Sequence, residues 1–158
     1  MKARARTAAA VDRPGREPDY RALAELRHQI RRFLTFSEGA ARAAGIEPQQ
    51  HQLLLAIKGL PSDRRPTVGV LAERLQVRHH TAVGLADRLA ASGLAARRAS
   101  ASDGREILLH ITARGERLLR RLSLTHRAEL ETAGPALADA LGALVGPRRA
   151  PRPARSSR

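Results

Sequence analysis

Basic and polar side chains cluster in two stretches near the middle of this sequence. The first is Arg78-His79-His80-Thr81, and the second, RRASASDGREILLHIT, runs from residue 97 to residue 112. Guanidinium and imidazole N–H groups donate hydrogen bonds to phosphate oxygens and to base edges. These residue types therefore indicate binding of a polyanion rather than bond-making chemistry.

The distribution of charge supports the same interpretation. The chain has a formal net charge of +14, and residues 64–105 hold eight arginines against three acidic residues. Residues 1–18 and 146–158 are also basic. An excess of this kind on one segment is typical of a protein that binds nucleic acid and less often of one that binds a membrane surface.

Several classes of function are excluded or disfavoured by composition. The chain has no cysteine, which excludes thiolate catalysis and cysteine-based zinc sites. Adjacent histidines on a helix point about 100° apart, so His79 and His80 are poorly placed to share a metal ion. No paired carboxylates, nucleophile–base pair or phosphate-cradling glycine loop is evident. We expect neither an enzyme nor a bound metal or cofactor.

Membrane insertion is not expected either. No apolar run approaches the roughly 20 residues needed to span a bilayer. The N-terminal residues are basic and rich in alanine but lack the apolar segment of a signal peptide. A cytoplasmic protein associated with the nucleoid is the simplest interpretation.

Helical periodicity dominates the elements that must position these residues. Apolar spacing predicts a long helix from residue 19 to about 44 and a second from Pro48 to Gly59. Thr67 is predicted to cap a short helix over VGVLAERL, and a fourth helix should follow over residues 79–92. Residues 94–98 and 105–111 predict two strands of a β-hairpin around a loop with glycine.

Two more helices are predicted after the hairpin. Thr112 should cap a helix that runs to about Thr132, and Pro135 should open a last helix through Leu144. Residues 1–18 and 146–158 contain charges and helix breakers without apolar periodicity, so both are predicted to be disordered tails.

A helix–turn–helix followed directly by a hairpin resembles the MarR family of bacterial transcription regulators. The matching residues occur in order along the chain: Leu71-Ala72-x-x-Leu75, Asp87-Arg88-Leu89, Ser92-Gly93-Leu94, Arg97-Arg98, Asp103-x-Arg105 and the strand into Ile111-Thr112. The resemblance covers roughly residues 19–145 and leaves out both tails.

The resemblance implies a mainly α fold with a small β-hairpin, of class α+β. It implies a winged helix–turn–helix DNA-binding lobe over about residues 48–111. Dimerisation helices would occupy about residues 19–45 and 112–145. These boundaries divide the chain into one domain, residues 19–145, and two basic tails.

The resemblance also implies a function. Members of the family are typically homodimeric repressors that bind a palindromic operator in double-stranded DNA, and a small phenolic or anionic effector commonly releases them. A different hypothesis, which the basic tails would suit, is a nonspecific architectural DNA-binding protein. The two differ in the ratio of specific to nonspecific affinity.

The predicted recognition helix departs from the family pattern at two places. Many relatives carry Ser-Pro-Ser or a similar sequence where this chain has Arg78-His79-His80, and many carry Arg or Lys where it has Gly84. Glycine costs roughly 1 kcal/mol of helix propensity against alanine and removes a side chain that could reach a base. An operator sequence therefore cannot be transferred from relatives.

Candidate DNA-binding residues start with the first turn of that helix. Arg78 suits phosphate or guanine, and His79 and His80 suit base edges or phosphates. Thr81 is predicted either to cap the helix or to contact a backbone oxygen. Arg88 is a weaker candidate, because it could also be solvated or paired with Asp87 or another acidic residue.

The predicted wing contributes the remaining candidates. Arg97 and Arg98 alternate across a strand, so only one of them should face DNA. The family resemblance implies that Arg105 enters the minor groove. Asp103 would be repelled by phosphate and is predicted to be an acceptor that orients the wing by pairing with Arg105 or another arginine of the hairpin. The alternative is an Asp-Gly turn chosen by propensity alone.

Four residues are candidates for an effector site. Phe33, Phe36 and His28 fall on the first predicted helix and His51 on the second, where the family's ligand crevice opens. A role for the two phenylalanines in core or dimer packing is the competing interpretation.

Overall fold

The computed structural model describes residues 19–101, 103 and 105–145, in which five helices and one two-stranded sheet are formed. The elements are α1 (Tyr20–Ala43), α2 (Pro48–Lys58), α3 (Val68–Leu75), α4 (His79–Ala91), β1 (Ala95–Ala99), β2 (Ile107–Ile111) and α5 (Ala113–Val145). The mainly α architecture with a small β-hairpin is therefore confirmed. The predicted tails, residues 1–18 and 146–158, lie outside the described residues.

Two compact units are formed by contacts within the chain, and α1 and α5 each run through both. One unit contains residues 31–135 and the other residues 1–30 and 136–158. The first has an aliphatic core that includes Leu53, Leu71, Leu85, Leu89 and Leu109. In the described part of the second, Ala22, Gln29 and Ala140 are buried.

Helices α3 and α4 form the helix–turn–helix. The Thr67 hydroxyl accepts a hydrogen bond from the Val70 amide at 3.2 Å and so caps α3 as predicted. Gln76 ends α3 in the left-handed conformation, with φ of 55°. The left-handed residue ends α3, and α4 begins three residues later at His79.

Strands β1 and β2 pair in antiparallel register, with Ala95 opposite Ile111 and Ala99 opposite Ile107. The loop before α3 joins the same sheet edge, because the Leu109 amide donates to the Pro66 carbonyl at 2.9 Å. The predicted role of Thr112 as a helix cap is also seen. Its hydroxyl accepts from the Gly115 amide at 3.1 Å at the start of α5.

The prediction of two helices after the hairpin is wrong. Helix α5 is continuous from Ala113 to Val145, with Pro135 inside it. Proline removes one helical hydrogen bond but does not always end a helix, since flanking residues can keep the helical conformation. The apolar spacing on either side of Pro135 belongs to the same helix.

Candidate nucleic-acid interface

Helix α4 has one buried and one exposed face. Ala82, Leu85, Ala86 and Leu89 are buried in the unit of residues 31–135. Arg78, His79 and His80 are exposed at the start of the helix. The 3.6-residue period fixes this division, because the four buried residues recur at helical spacing. The first turn of α4 thus presents three polar side chains to the surroundings.

The backbone amides at the start of α4 also have no side-chain cap. Arg78 is the N-cap residue and makes no side-chain capping hydrogen bond. Thr81 is the third helical residue and half-buried, so the interpretation of Thr81 as the cap is wrong. Uncapped amides at a helix start, together with the positive end of the helix dipole, favour a bound anion.

Gly84 and Arg88 share a face of α4 with His80. A Cβ atom at Gly84 would lie 3.6 Å from Nη1 of Arg88. The Arg88 side chain therefore folds back over Gly84 towards the start of the helix. The guanidinium group of Arg88 therefore lies beside residue 84. This position, one helical turn before Arg88, is where the family pattern favours a basic side chain.

The two arginines of β1 have different environments. Nη2 of Arg97 lies 2.8 Å from Oδ1 of Asp87, an ion pair that joins the hairpin to α4. Arg98 is exposed and makes no ion pair with any residue that the structure describes. Asp87 therefore pairs with Arg97 rather than with Arg88.

Asp103 shapes the loop between the strands through the backbone. Its Oδ1 accepts a hydrogen bond from the Arg105 amide at 3.0 Å, and its carbonyl accepts one from the Glu106 amide at 3.0 Å. Asp103 is thus an acceptor, but for the amide of Arg105 and not for its guanidinium. Arg105 is exposed, and Gly104 lies outside the described part of the chain.

Arg65 braces the loop end of the hairpin, a role that the sequence did not suggest. Its Nη1 lies 2.7 Å from Oε2 of Glu106, and its Nη2 donates to the Ser100 hydroxyl. The Ser100 amide in turn donates to the Glu106 carbonyl at 2.8 Å and closes the hairpin. The contact joins residues 35 positions apart in sequence, so no local pattern could reveal it.

A second candidate site surrounds two histidines in the same unit. The ring centroids of His51 and His126 lie 4.8 Å apart, and those of Phe33 and Phe36 lie 6.0 and 5.8 Å from that of His126 in T-shaped arrangements. Nδ1 of His126 donates to the Leu122 carbonyl at 2.6 Å, and its Nε2 lies 2.7 Å from the Ser37 hydroxyl. Burial, and secondarily the nearby His126, lowers the pKa of His51.

This cluster borders a cavity of about 450 Å³ with a largely apolar lining. The residues that line it are Phe33, His51, Leu55, Ser123, His126, Arg127, Leu130 and Glu131. Two of the four predicted ligand residues, Phe33 and His51, are therefore in its wall. Phe36 contacts the cluster through His126, while His28 is exposed in the unit of residues 1–30 and 136–158.

Sequence reasoning missed His126, the residue that links this cluster. It lies 89 positions from Ser37 along the chain, on α5, and only the packing of α5 beside α1 and α2 brings the rings together. Within residues 19–101, 103 and 105–145, no group of three His, Cys, Asp or Glu side chains could hold a metal ion. The helices described there include none long and apolar enough to cross a membrane.

Comparison with known proteins shows a partial sequence similarity to one family. The sequence profile described as MarR family matches residues 44–106, from the end of α1 to the hairpin loop. No curated protein sequence matches the chain.

Solved structures share the fold over most of the chain. A MarR family transcription regulator has a TM-score of 0.66 and 21% identity, with 79% of this chain and 82% of that chain covered. CouR from Rhodococcus jostii, bound to p-coumaroyl-CoA, has a TM-score of 0.59 and 20% identity, with coverage of 79% and 92%.

A variant of S. aureus MepR bound to an oligodeoxyribonucleotide also has a TM-score of 0.59 and 20% identity, with coverage of 81% and 99%. These likenesses establish the fold, and the profile shows a similarity to the MarR family over residues 44–106. The chain therefore has a winged helix–turn–helix fold, and its residues 44–106 are similar to the MarR family.

Proposed function

We propose that this protein is a sequence-specific transcription regulator that binds double-stranded DNA through α4 and the hairpin. The observation that carries the proposal is the uncapped, basic first turn of α4, with Arg78, His79 and His80 exposed above a buried helix face. This is the part of a recognition helix that enters the major groove.

The side chains divide into two roles. His79 and His80 contact base edges, while Arg78 and the open amides contact a phosphate that fixes the register. Arg88 extends the basic surface over Gly84, where its guanidinium approaches the backbone of the helix. Thr81, which is half-buried, contacts a backbone oxygen at the edge of this surface.

The hairpin acts as the wing. Arg105, exposed in the loop, enters the minor groove, and Arg98 contacts phosphate. Arg97 instead ties the wing to α4 through Asp87, and Asp103 shapes the loop around the Arg105 amide. Only one of the two arginines on β1 is therefore assigned to DNA, as the alternation along a strand predicts.

A homodimer provides a second DNA-binding lobe, which binds the second half-site of a palindromic operator. In the unit of residues 1–30 and 136–158, Tyr20, Leu23, Ile30, Leu141 and Val145 are 41–75% exposed. Large apolar side chains exposed together on helices mark an interaction surface, and a second copy buries the same patch under two-fold symmetry. The predicted dimerisation helices include all five residues.

The cavity beside His51 and His126 is proposed to take a small phenolic or anionic effector that releases the repressor from its operator. Its wall combines the Phe33 ring with two imidazoles, and Arg127 pairs with Glu131 at 3.0 Å along its border. An aromatic ring can stack there, and an anionic group can compete with Glu131 for Arg127. The p-coumaroyl-CoA bound by CouR is an aromatic thioester of this general kind.

The test is selection of bound duplexes from a random pool, followed by footprinting on the enriched sequence. We expect a protected palindrome and a specific affinity at least about a thousandfold above that for unrelated DNA at fixed salt. Enrichment of no sequence, with uniform coating of every duplex, would contradict the proposal and favour a nonspecific architectural protein.

A further inference from the structure

A second cavity in the unit of residues 31–135 has a strongly basic wall. It encloses about 430 Å³ at the junction of α1 with α2, the end of α4 and the first turns of α5. The residues that line it are Ala44, Gly45, Ile46, Gln50, Ser92, Leu94, Arg114, Arg117, Leu118 and Arg121. Three of these ten are arginines and none is acidic.

The three arginines follow one face of α5. Their spacing of three and four residues places them one turn apart, over about 10 Å of helix. None of them makes an ion pair with a residue that the structure describes, whereas Arg127 farther along α5 pairs with Glu131. The charge of this wall is therefore not neutralised by neighbouring carboxylates.

Arg114 is held in place without losing its charge. Its Nη1 donates to the Ser92 carbonyl at 3.0 Å. A neutral carbonyl accepts this hydrogen bond but leaves the positive charge and most of the five guanidinium N–H donors available. The contact aims the side chain across the end of α4.

The start of α5 lies very close to the backbone of Leu94, the residue before β1. A Cβ atom at Gly115 would lie 2.0 Å from the Leu94 carbonyl oxygen, so only glycine fits there. Leu94 and Ile46 are buried beneath the cavity, and Leu118 is half-buried beside them. The three arginines of the cavity wall therefore lie beside an apolar surface formed by Ile46, Leu94 and Leu118.

Gln50 offers a further polar group. Its Oε1 accepts a hydrogen bond from the Glu47 amide at 3.0 Å, which leaves the NH2 half of the side chain as the donor. The cavity thus presents donors along its wall and apolar side chains on its floor. A ligand with several negative charges and an apolar or planar body matches both features.

The position of the cavity separates it from the proposed DNA contacts. It adjoins Ser92 at the C-terminal end of α4, whereas Arg78 and His79 lie at the opposite end. Thirteen helical residues span about 20 Å. A DNA groove that holds the first turn of α4 would therefore lie well away from the basic wall of the cavity.

We propose that this cavity binds a small organic polyphosphate, such as a nucleoside diphosphate, through Arg114, Arg117 and Arg121. Arginine forks hold phosphate oxygens in bidentate pairs, and three forks over about 10 Å suit two linked phosphates better than a single carboxylate. The body of the ligand then lies on Ile46, Leu94 and Leu118. The site does not depend on the DNA-binding proposal.

Calorimetric titration of the full chain with ADP, AMP and adenosine, at about 0.15 M salt, tests the proposal. We expect ADP to bind at least about tenfold more tightly than AMP, and adenosine to bind weakest, because each phosphate adds charge-assisted hydrogen bonds. Equal affinity for ADP and adenosine would overturn the proposal.

Matched variants separate this cavity from the general positive charge of the chain. Arg117→Gln should weaken ADP binding about tenfold, while Arg120→Gln, the same charge change at an exposed residue outside the cavity wall, should leave it unchanged. Equal losses in the two variants would overturn the proposal. Arg117→Lys keeps the charge and should retain part of the affinity, which guards against a folding defect in the glutamine variant.

A DNA readout distinguishes a polyphosphate ligand from the phosphates of DNA. Arg117→Gln and Arg120→Gln should bind a selected duplex with equal affinity. A loss confined to Arg117→Gln would show that the wall contacts the DNA backbone and would also overturn the proposal.

Discussion

Two pairs of histidines show how position decides what the same residue type can do. His79 and His80 are exposed at the start of α4, above amides that no side chain caps. The ring centroids of His51 and His126 lie 4.8 Å apart, Phe33 and Phe36 both contact His126, and His51 is only 4% exposed. The first pair can meet a partner from solution, whereas the second contributes to packing and to a cavity wall.

The largest expected contrast between the pairs is in stability. His51→Ala removes a buried ring and should lower the free energy of unfolding by about 2–3 kcal/mol. His80→Ala, at an exposed site, should change it by less than about 0.5 kcal/mol. Urea denaturation of the two variants measures the difference, and equal destabilisation would show that the burial of His51 does not contribute to stability.

The open start of α4 can be tested by closing it. Arg78→Ser and Arg78→Ala both remove the guanidinium, but serine can cap the helix as Thr67 caps α3. The serine variant should be more stable than the alanine variant by about 1 kcal/mol. It should also bind DNA more weakly, because its hydroxyl occupies an amide that otherwise meets phosphate.

Thermal unfolding and gel-shift titration of the same two proteins provide both readouts. If the serine variant bound DNA more tightly than the alanine variant, the open amides would have no part in binding. Since both variants lack Arg78, the lost charge cancels from the comparison.

The smallest expected difference concerns pH. Burial lowers the pKa of His51 in the folded protein, so below its ordinary value near 6.5 the unfolded chain takes up the proton first. The contribution of neutral His51 to stability is therefore fully present above about pH 6.5. It declines as the pH falls towards the pKa of His51 in the folded protein. The slope of unfolding free energy against pH should be flatter in His51→Gln and unchanged in His80→Gln. A flatter slope in His80→Gln only would show that His51 is not the source of this pH dependence.

Much of the fold followed from local sequence patterns. Thr67 and Thr112 marked helix starts because each side chain caps a helix within three residues of itself. The hairpin was likewise visible as two short strands around a polar loop. Pro135 misled the prediction, since proline favours a helix start but is also tolerated inside a long helix.

The site was predictable only where it is local. The exposed first turn of α4 follows from periodicity, but the brace from Arg65 to Ser100 and Glu106 depends on how two distant loops meet. The contact of His126 with Ser37 spans 89 positions. Such contacts are set by tertiary packing, and one sequence carries no local signal for them.

Recognition of a DNA sequence by α4 and the wing depends on Arg105, the residue proposed to enter the minor groove. Affinities of the wild type, Arg105→Ala and the matched surface variant Arg120→Ala should be measured on a selected duplex and on a shuffled duplex, at about 0.15 M salt. We predict that the wild type prefers the selected duplex at least about a thousandfold. Arg105→Ala should lose about 1–3 kcal/mol on that duplex, while Arg120→Ala keeps its affinity. Equal wild-type affinity for both duplexes, or full affinity in Arg105→Ala, would contradict sequence-specific DNA binding by α4 and the wing.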